Sequence, residues 1–175
     1  MKVALIQSPL FWENPTANRN HFEVKINALT EKVHLIVLPE MFSTGFTMNP
    51  ESVFETMEGE TIQWLQSLAK AKNSAITGSL ILKENGNFYN RLVFVFPSGE
   101  IQFYDKRHLF SLAGEDKVYT SGKEKLIVNY LGWKICPLIC YDLRFPVFAR
   151  NVEGYDVLIY VANWPKLRIN AWDIL

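Results

Sequence analysis

The stretch that decides the fold is Leu35-Ile36-Val37-Leu38-Pro39-Glu40-Met41. Its apolar run is rich in β-branched residues and reads as a strand buried on both faces. Pro39 stops it, because proline has no N–H to continue a ladder. Upstream, Asn14-Pro15 has the form of a helix cap and first helical position, and the residues to about Lys32 place Phe22, Ile26 and Leu29 on one helical face. Residues 3–6 before it read as a second buried strand. Strand, helix and strand at this spacing make a βαβ unit, so the chain is of the α/β class.

Downstream, residues 61–72 carry Ile62, Leu65, Leu68 and Ala69 at helical spacing, with Trp64 beside them. The period then changes. Residues 75–82, 89–96 and 101–104 read as three strands separated by Glu84-Asn85-Gly86-Asn87 and Pro97-Ser98-Gly99-Glu100, an antiparallel meander. Residues 126–130 and 133–139 form a further hairpin around Leu131-Gly132, and residues 157–161 are one more buried strand. A mixed sheet architecture with helices outside it follows, in a single domain without repeats or linkers.

Composition narrows the function. A chain of 175 residues, 49% hydrophobic, holds enough apolar material for one core and too little for two. Lys plus Arg and Asp plus Glu each number 18, so no net field favours a polyanion and no nucleic acid is expected as partner. The N-terminus lacks the apolar region of a signal peptide, and no apolar run approaches the roughly 20 residues that span a bilayer. Cys136 and Cys140 are therefore expected as reduced thiols of a cytoplasmic protein. Four positions along a strand separate them by about 13 Å, beyond disulfide reach, which argues against redox sensing by the pair. His21, His34 and His108 lack paired ligand spacing, so neither a metal nor another cofactor is expected.

Three residues of different chemistry stand at the carboxyl ends of strands, where open α/β sheets place ligands. Glu40 follows Leu38-Pro39. Lys106 follows Ile101-Gln102-Phe103-Tyr104-Asp105. Cys140 ends Trp133-Lys134-Ile135-Cys136-Pro137-Leu138-Ile139 and enters the polar turn Tyr141-Asp142-Leu143-Arg144. Taken singly they are a solvated glutamate, a surface lysine and a buried cysteine, and Cys136, inside its strand, is read as structural. Strand ends converge in space while far apart in sequence, so the three together make a candidate site.

The segments Leu38-Pro39-Glu40-Met41, Tyr104-Asp105-Lys106-Arg107-His108-Leu109-Phe110 and Ile139-Cys140-Tyr141-Asp142-Leu143-Arg144-Phe145-Pro146 resemble, in this order, the three signature segments of the nitrilase superfamily. The resemblance implies a four-layer αββα sandwich and a Glu-Lys-Cys triad: Cys140 as nucleophile, Glu40 as general base, Lys106 with the N–H of Tyr141 as oxyanion donors. It also implies a positioning role for Glu115 in Gly114-Glu115-Asp116. The segments Phe42-Ser43-Thr44-Gly45-Phe46 and Val161-Ala162-Asn163-Trp164-Pro165 resemble the omega-amidase branch, whose substrates are short 2-oxo dicarboxylic monoamides such as 2-oxoglutaramate. That likeness adds Phe42 and Trp164 as candidate substrate contacts, with core packing as the alternative for both; Tyr141 meets substrate through its N–H, and Arg144, near Cys140 in sequence, is the candidate cation for the remote carboxylate or else a structural ion-pair partner. Another amidase or carbamoylase of the superfamily, and a non-catalytic interaction module, are the competing functions.

Family members commonly associate, so a homo-oligomer is implied. They also continue beyond the length seen here, so residues 1–175 are expected to form one carbon-nitrogen hydrolase domain lacking its C-terminal part. The last residues should be helical after Pro165, with Trp172 and Leu175 on one face.

Overall fold

The first sheet is built from the βαβ unit outward. The structure, a computed structural model, describes residues 1–174. Strands β1 (Val3–Leu5) and β2 (Leu35–Val37) lie parallel, connected by helix α1 (Pro15–Asn27). Asn14 caps α1 by accepting the Ala17 N–H at 3.0 Å, and Pro15 occupies the first turn. The helix stops at Asn27 rather than near Lys32. The chain must turn there for the His34 N–H to reach the Lys2 carbonyl and enter the sheet. Leu29 still packs on the core from beyond the helix end, and Leu175 lies outside the described residues.

Helix α2 (Glu60–Lys72) leads to β3 (Ala75–Glu84), which is parallel to β2. Strands β4 (Asn87–Val95) and β5 (Ile101–Asp105) complete the antiparallel meander, in the order β1-β2-β3-β4-β5. Asn85 and Gly86 both have positive φ, 50° and 80°, so two residues suffice to close the β3–β4 hairpin with the right-handed strand twist. A smaller sheet holds β6 (Val128–Tyr130), β7 (Trp133–Ile139) and β8 (Val157–Val161), with β7 central. β6 pairs antiparallel and β8 parallel to β7.

Side-chain alternation sends the two faces of the first sheet to different partners. Ile36, Ile76, Leu80, Val93 and Val95 pack with Phe22, Ile26, Ile62 and Leu65 of the two helices. Leu35, Val37, Ala75, Leu92 and Phe94 pack with Val128, Ile135, Ile139 and Val161 of the second sheet. Two sheets thus stack face to face with α1 and α2 outside the first, as the sandwich fold implies. Among the described residues, the short helices α3 (Pro146–Ala149) and α4 (Ile169–Trp172) follow β7 and β8.

Residues 3–5 and 157–161 are strands, yet they are not the buried strands the apolar runs at 3–6 and 157–161 suggested. Leu5 is 75% exposed and Leu158 37%. Both lie on sheet edges, where a neighbour is present on one side only. Among the described residues no helix is long and apolar enough to cross a membrane.

One glycine couples this packing to the site described next. A Cβ on Gly78 of β3 would stand 2.8 Å from the Leu38 Cβ and 3.1 Å from the Phe42 ring. Gly78→Ala is expected to destabilise the fold by about 1–3 kcal/mol through overpacking, measured as a shift of the urea midpoint at unchanged slope. A variant as stable as the parent would mean that the Leu38 segment moves freely.

Candidate active site

Strand β2 ends at Val37, and three residues later Glu40 is buried. Met41 takes φ 44°, which turns the chain so that its N–H bonds Ser79 Oγ at 2.9 Å and the Phe42 N–H bonds the Ser79 carbonyl at 3.0 Å. Lys106 follows β5 with its N–H on the Asn90 carbonyl at 3.0 Å and its own carbonyl taken by the Gly122 N–H at 2.9 Å. Cys140 opens a 3₁₀ turn, Cys140–Arg144, at φ 40°. A left-handed conformation at a non-glycine residue is uncommon, and it persists where the surroundings over-determine it.

Those surroundings centre on Asp142. Its Oδ2 accepts from the Ile139 N–H at 3.0 Å and the Tyr104 hydroxyl at 2.8 Å; its Oδ1 accepts from the His108 N–H at 3.1 Å and faces His108 Nδ1 at 2.8 Å. The His108 ring lies flat on Phe145, with centroids 3.7 Å apart. The lysine segment and the cysteine segment are thus bolted together by residues of the two motifs themselves. The first turn of the 3₁₀ segment leaves the Tyr141 N–H without an acceptor inside it.

Around the lysine, Nζ donates to Glu40 Oε1 at 2.8 Å and to Glu115 Oε1 and Oε2 at 3.0 and 2.9 Å. Asn90 Nδ2 donates to Oε1 of both glutamates, each at 3.0 Å. Glu40 Oε2 takes the Asn163 N–H at 3.1 Å, and Glu115 Oε2 the Phe110 N–H at 2.6 Å. Burial opposes the Lys106 charge, but Glu40 and Glu115 outweigh it and hold the ammonium above its ordinary pKa. Burial raises the Glu115 carboxyl, Lys106 opposes that rise, and nearby Glu40 adds to it. Burial and the Glu40 carboxylate push the Cys140 thiol well above its ordinary value, with Lys106 only partly compensating. The resting thiol is protonated and needs a base. Cys136 lies fully buried in β7, its pKa pushed up to about 11 by burial.

A cavity of about 570 Å³ opens onto Glu40, Lys106 and Cys140. Tyr141, Arg144 and Trp164, all singled out in the sequence, also line it. Glu115 stands behind Lys106 with no exposed surface. Phe42 is the exception. It lies at 0% exposure in the core under the helices, edge-on to Phe22 at 5.7 Å, because the turn at Met41 sends it to the helix face of the sheet. It is a packing residue and not a wall of the cavity. Phe46, Phe110, Asn163 and Arg168 are lining residues that the sequence did not single out. Among the described residues, no group of three or more His, Cys, Asp and Glu could hold a metal ion.

The sequence profile of the carbon-nitrogen hydrolase family matches residues 2–174. The chain belongs to the carbon-nitrogen hydrolase family. Among relatives of this carbon-nitrogen hydrolase, the omega-amidase YafV of Yersinia enterocolitica is 44% identical over 176 residues, covering all of this chain and 68% of its own length. The 2-oxoglutaramate amidase of Bacillus subtilis is 30% identical over 178 residues, covering 99% of this chain and 69% of its own. A solved CN-hydrolase superfamily protein from Xanthomonas campestris, with an arsenic adduct in its active site, superposes with a TM-score of 0.94 at 39% identity, over 99% of this chain and 68% of that one.

Proposed function

We propose that the chain is an amidohydrolase of the omega-amidase type, releasing ammonia from 2-oxoglutaramate-like monoamides in the cytoplasm. The observation that carries the proposal is the buried cluster of Glu40, Lys106 and Glu115 beside Cys140 at the end of one cavity. The omega-amidase and 2-oxoglutaramate amidase relatives supply the substrate class.

In the proposed reaction Glu40 takes the thiol proton as sulfur attacks the amide carbon, the usual logic of a base beside a nucleophile. Lys106 Nζ and the Tyr141 N–H receive the charge that develops on the carbonyl oxygen, where one such donor is worth roughly 3–4 kcal/mol. The proton on Glu40 passes to the leaving nitrogen, and ammonia departs from a thioester. Water enters, loses a proton to Glu40 and attacks the thioester carbon; the proton returns to sulfur as the acid leaves.

Substrate choice follows from the two guanidinium groups, Arg144 and Arg168, that line the cavity with Trp164. A 2-oxo dicarboxylic monoamide presents a carboxylate remote from its scissile amide, and a guanidinium is suited to it. In the folded chain, 2-oxoglutaramate should be hydrolysed with a kcat/KM roughly 10- to 150-fold above that of a neutral amide of equal length, the worth of one charge-assisted hydrogen bond. Ammonia release over a small panel of amides measures this. Equal rates on charged and neutral amides, or a preference for ureido compounds, would remove the omega-amidase assignment and leave another amidase of the family.

A further inference from the structure

We propose that Asn90 is a positioning residue for the reaction, its carboxamide tying Glu40 to Glu115 and thereby fixing the direction and the charge of the base. The proposal rests on the roles given above to Glu40 and Cys140.

Asn90 lies fully buried on β4, in the row Asn90, Leu92, Phe94 that faces the second sheet. Its neighbours in that row fill the core, and a carboxamide among them is unfavourable unless it is bonded. Its two amide hydrogens serve two different carboxylates, Glu40 Oε1 and Glu115 Oε1, each at 3.0 Å. Chemistry fixes which end points there. A flipped amide would set its oxygen against two carboxylate oxygens with no hydrogen between them.

The other end of the same group is the telling feature. Asn90 Oδ1 is buried and has no hydrogen-bond partner. An unsatisfied buried acceptor is a standing cost to the fold. Here it accompanies the two bonds made by the nitrogen. The Asn90 carbonyl also takes the Lys106 N–H at 3.0 Å, so one residue holds the lysine backbone and both acidic side chains.

The charge balance explains why a neutral donor is useful. Two carboxylates share one ammonium, and such a pair tends to capture a proton, which would disable Glu40 as a base. The titratable groups facing them are Lys106, Cys140 and Tyr119. Asn90 bonds the ionised form of both glutamates without adding charge. With Oε1 held by Asn90 and Lys106 and Oε2 by the Asn163 N–H, the Glu40 carboxylate has one rotational setting.

The test uses the whole chain carrying Asn90→Ala. Two readouts are taken against pH: the rate of Cys140 alkylation by iodoacetamide, and kcat with KM for 2-oxoglutaramate. The acid limb of both profiles should move up by about one pH unit or more. The kcat near neutral pH should fall roughly tenfold or more, with KM near the parent value, since Asn90 does not line the cavity. A folded Asn90→Ala chain with the parent's acid limb, or a loss confined to KM, overturns the proposal. If the alanine variant does not fold, Asn90→Val, which removes the donor on a residue suited to a strand, carries the same comparison, and an unmoved limb there is equally decisive. Alkylation needs no substrate, so a wrong substrate class leaves this readout intact. Parallel Glu40→Gln alkylation identifies a failure of the base assignment itself.

Discussion

Replacing Cys140 with alanine should remove hydrolysis, on the order of a 10⁶-fold loss, the scale on which removal of a nucleophile is felt in covalent catalysis. Cys136→Ala should leave kcat close to the parent and cost about 1 kcal/mol of stability, the ordinary size for a core change. The two thiols sit four residues apart in sequence and differ in every respect that matters. Cys136 is inside β7 and packed on all sides; Cys140 has left the strand, stands at φ 40° and opens onto the cavity. Steady-state assays of both variants, each checked for a cooperative thermal transition, decide between them. Equal losses in two folded variants would sink the assignment of Cys140.

The second large effect is expected at Lys106. Lys106→Met keeps the length and apolar stem but deletes the ammonium that two glutamates share. Loss of an oxyanion donor should lower kcat by about 10²- to 10³-fold. Leaving buried carboxylates without their partner should cost about 3–5 kcal/mol near neutral pH. The pH dependence gives this its signature. Without Lys106 the folded-state pKa of Glu115, already raised by burial, rises further above that of the unfolded chain. A carboxyl with a raised folded pKa costs nothing below the unfolded value near 4.5 and costs progressively more as pH rises from there through the folded pKa. Urea unfolding of parent and variant at pH 5 and pH 8 should therefore show a gap that widens toward pH 8. A constant gap would mean that the carboxylates had found another partner.

What the sequence disclosed divides along a physical line. Strand ends are local: an apolar run stopped by Pro39, or emptied into Tyr141-Asp142, announces where Glu40 and Cys140 emerge without knowledge of any neighbour. Convergence of the three residues came from the motif order. The periodicity of 61–72 and the turn residues at 85–86 and 131–132 likewise state their own structure, because capping and positive φ are properties of a few adjacent residues. Burial of an edge strand is not local. Residues 3–6 are as apolar as residues 35–38, and only the sheet order separates the exposed Leu5 from the buried Val37. Phe42 was misread for the same reason, since one left-handed residue at Met41 decides which face it takes. Asn90 carried a faint signal as a carboxamide among inward-facing apolar residues of its strand. Arg168 carried none, and the roles of Tyr104, His108 and Asp142 depended on contacts between segments more than thirty residues apart.

The protonated state in which burial and Glu40 keep the Cys140 thiol bears on how the protein survives oxidants. Peroxide attacks thiolates, and the later steps of that oxidation, to sulfinic and sulfonic acids, are in general irreversible. A sulfur that stays protonated until Glu40 takes its proton spends its idle time as a poor reductant. The demand for a base at each turnover then doubles as protection between turnovers.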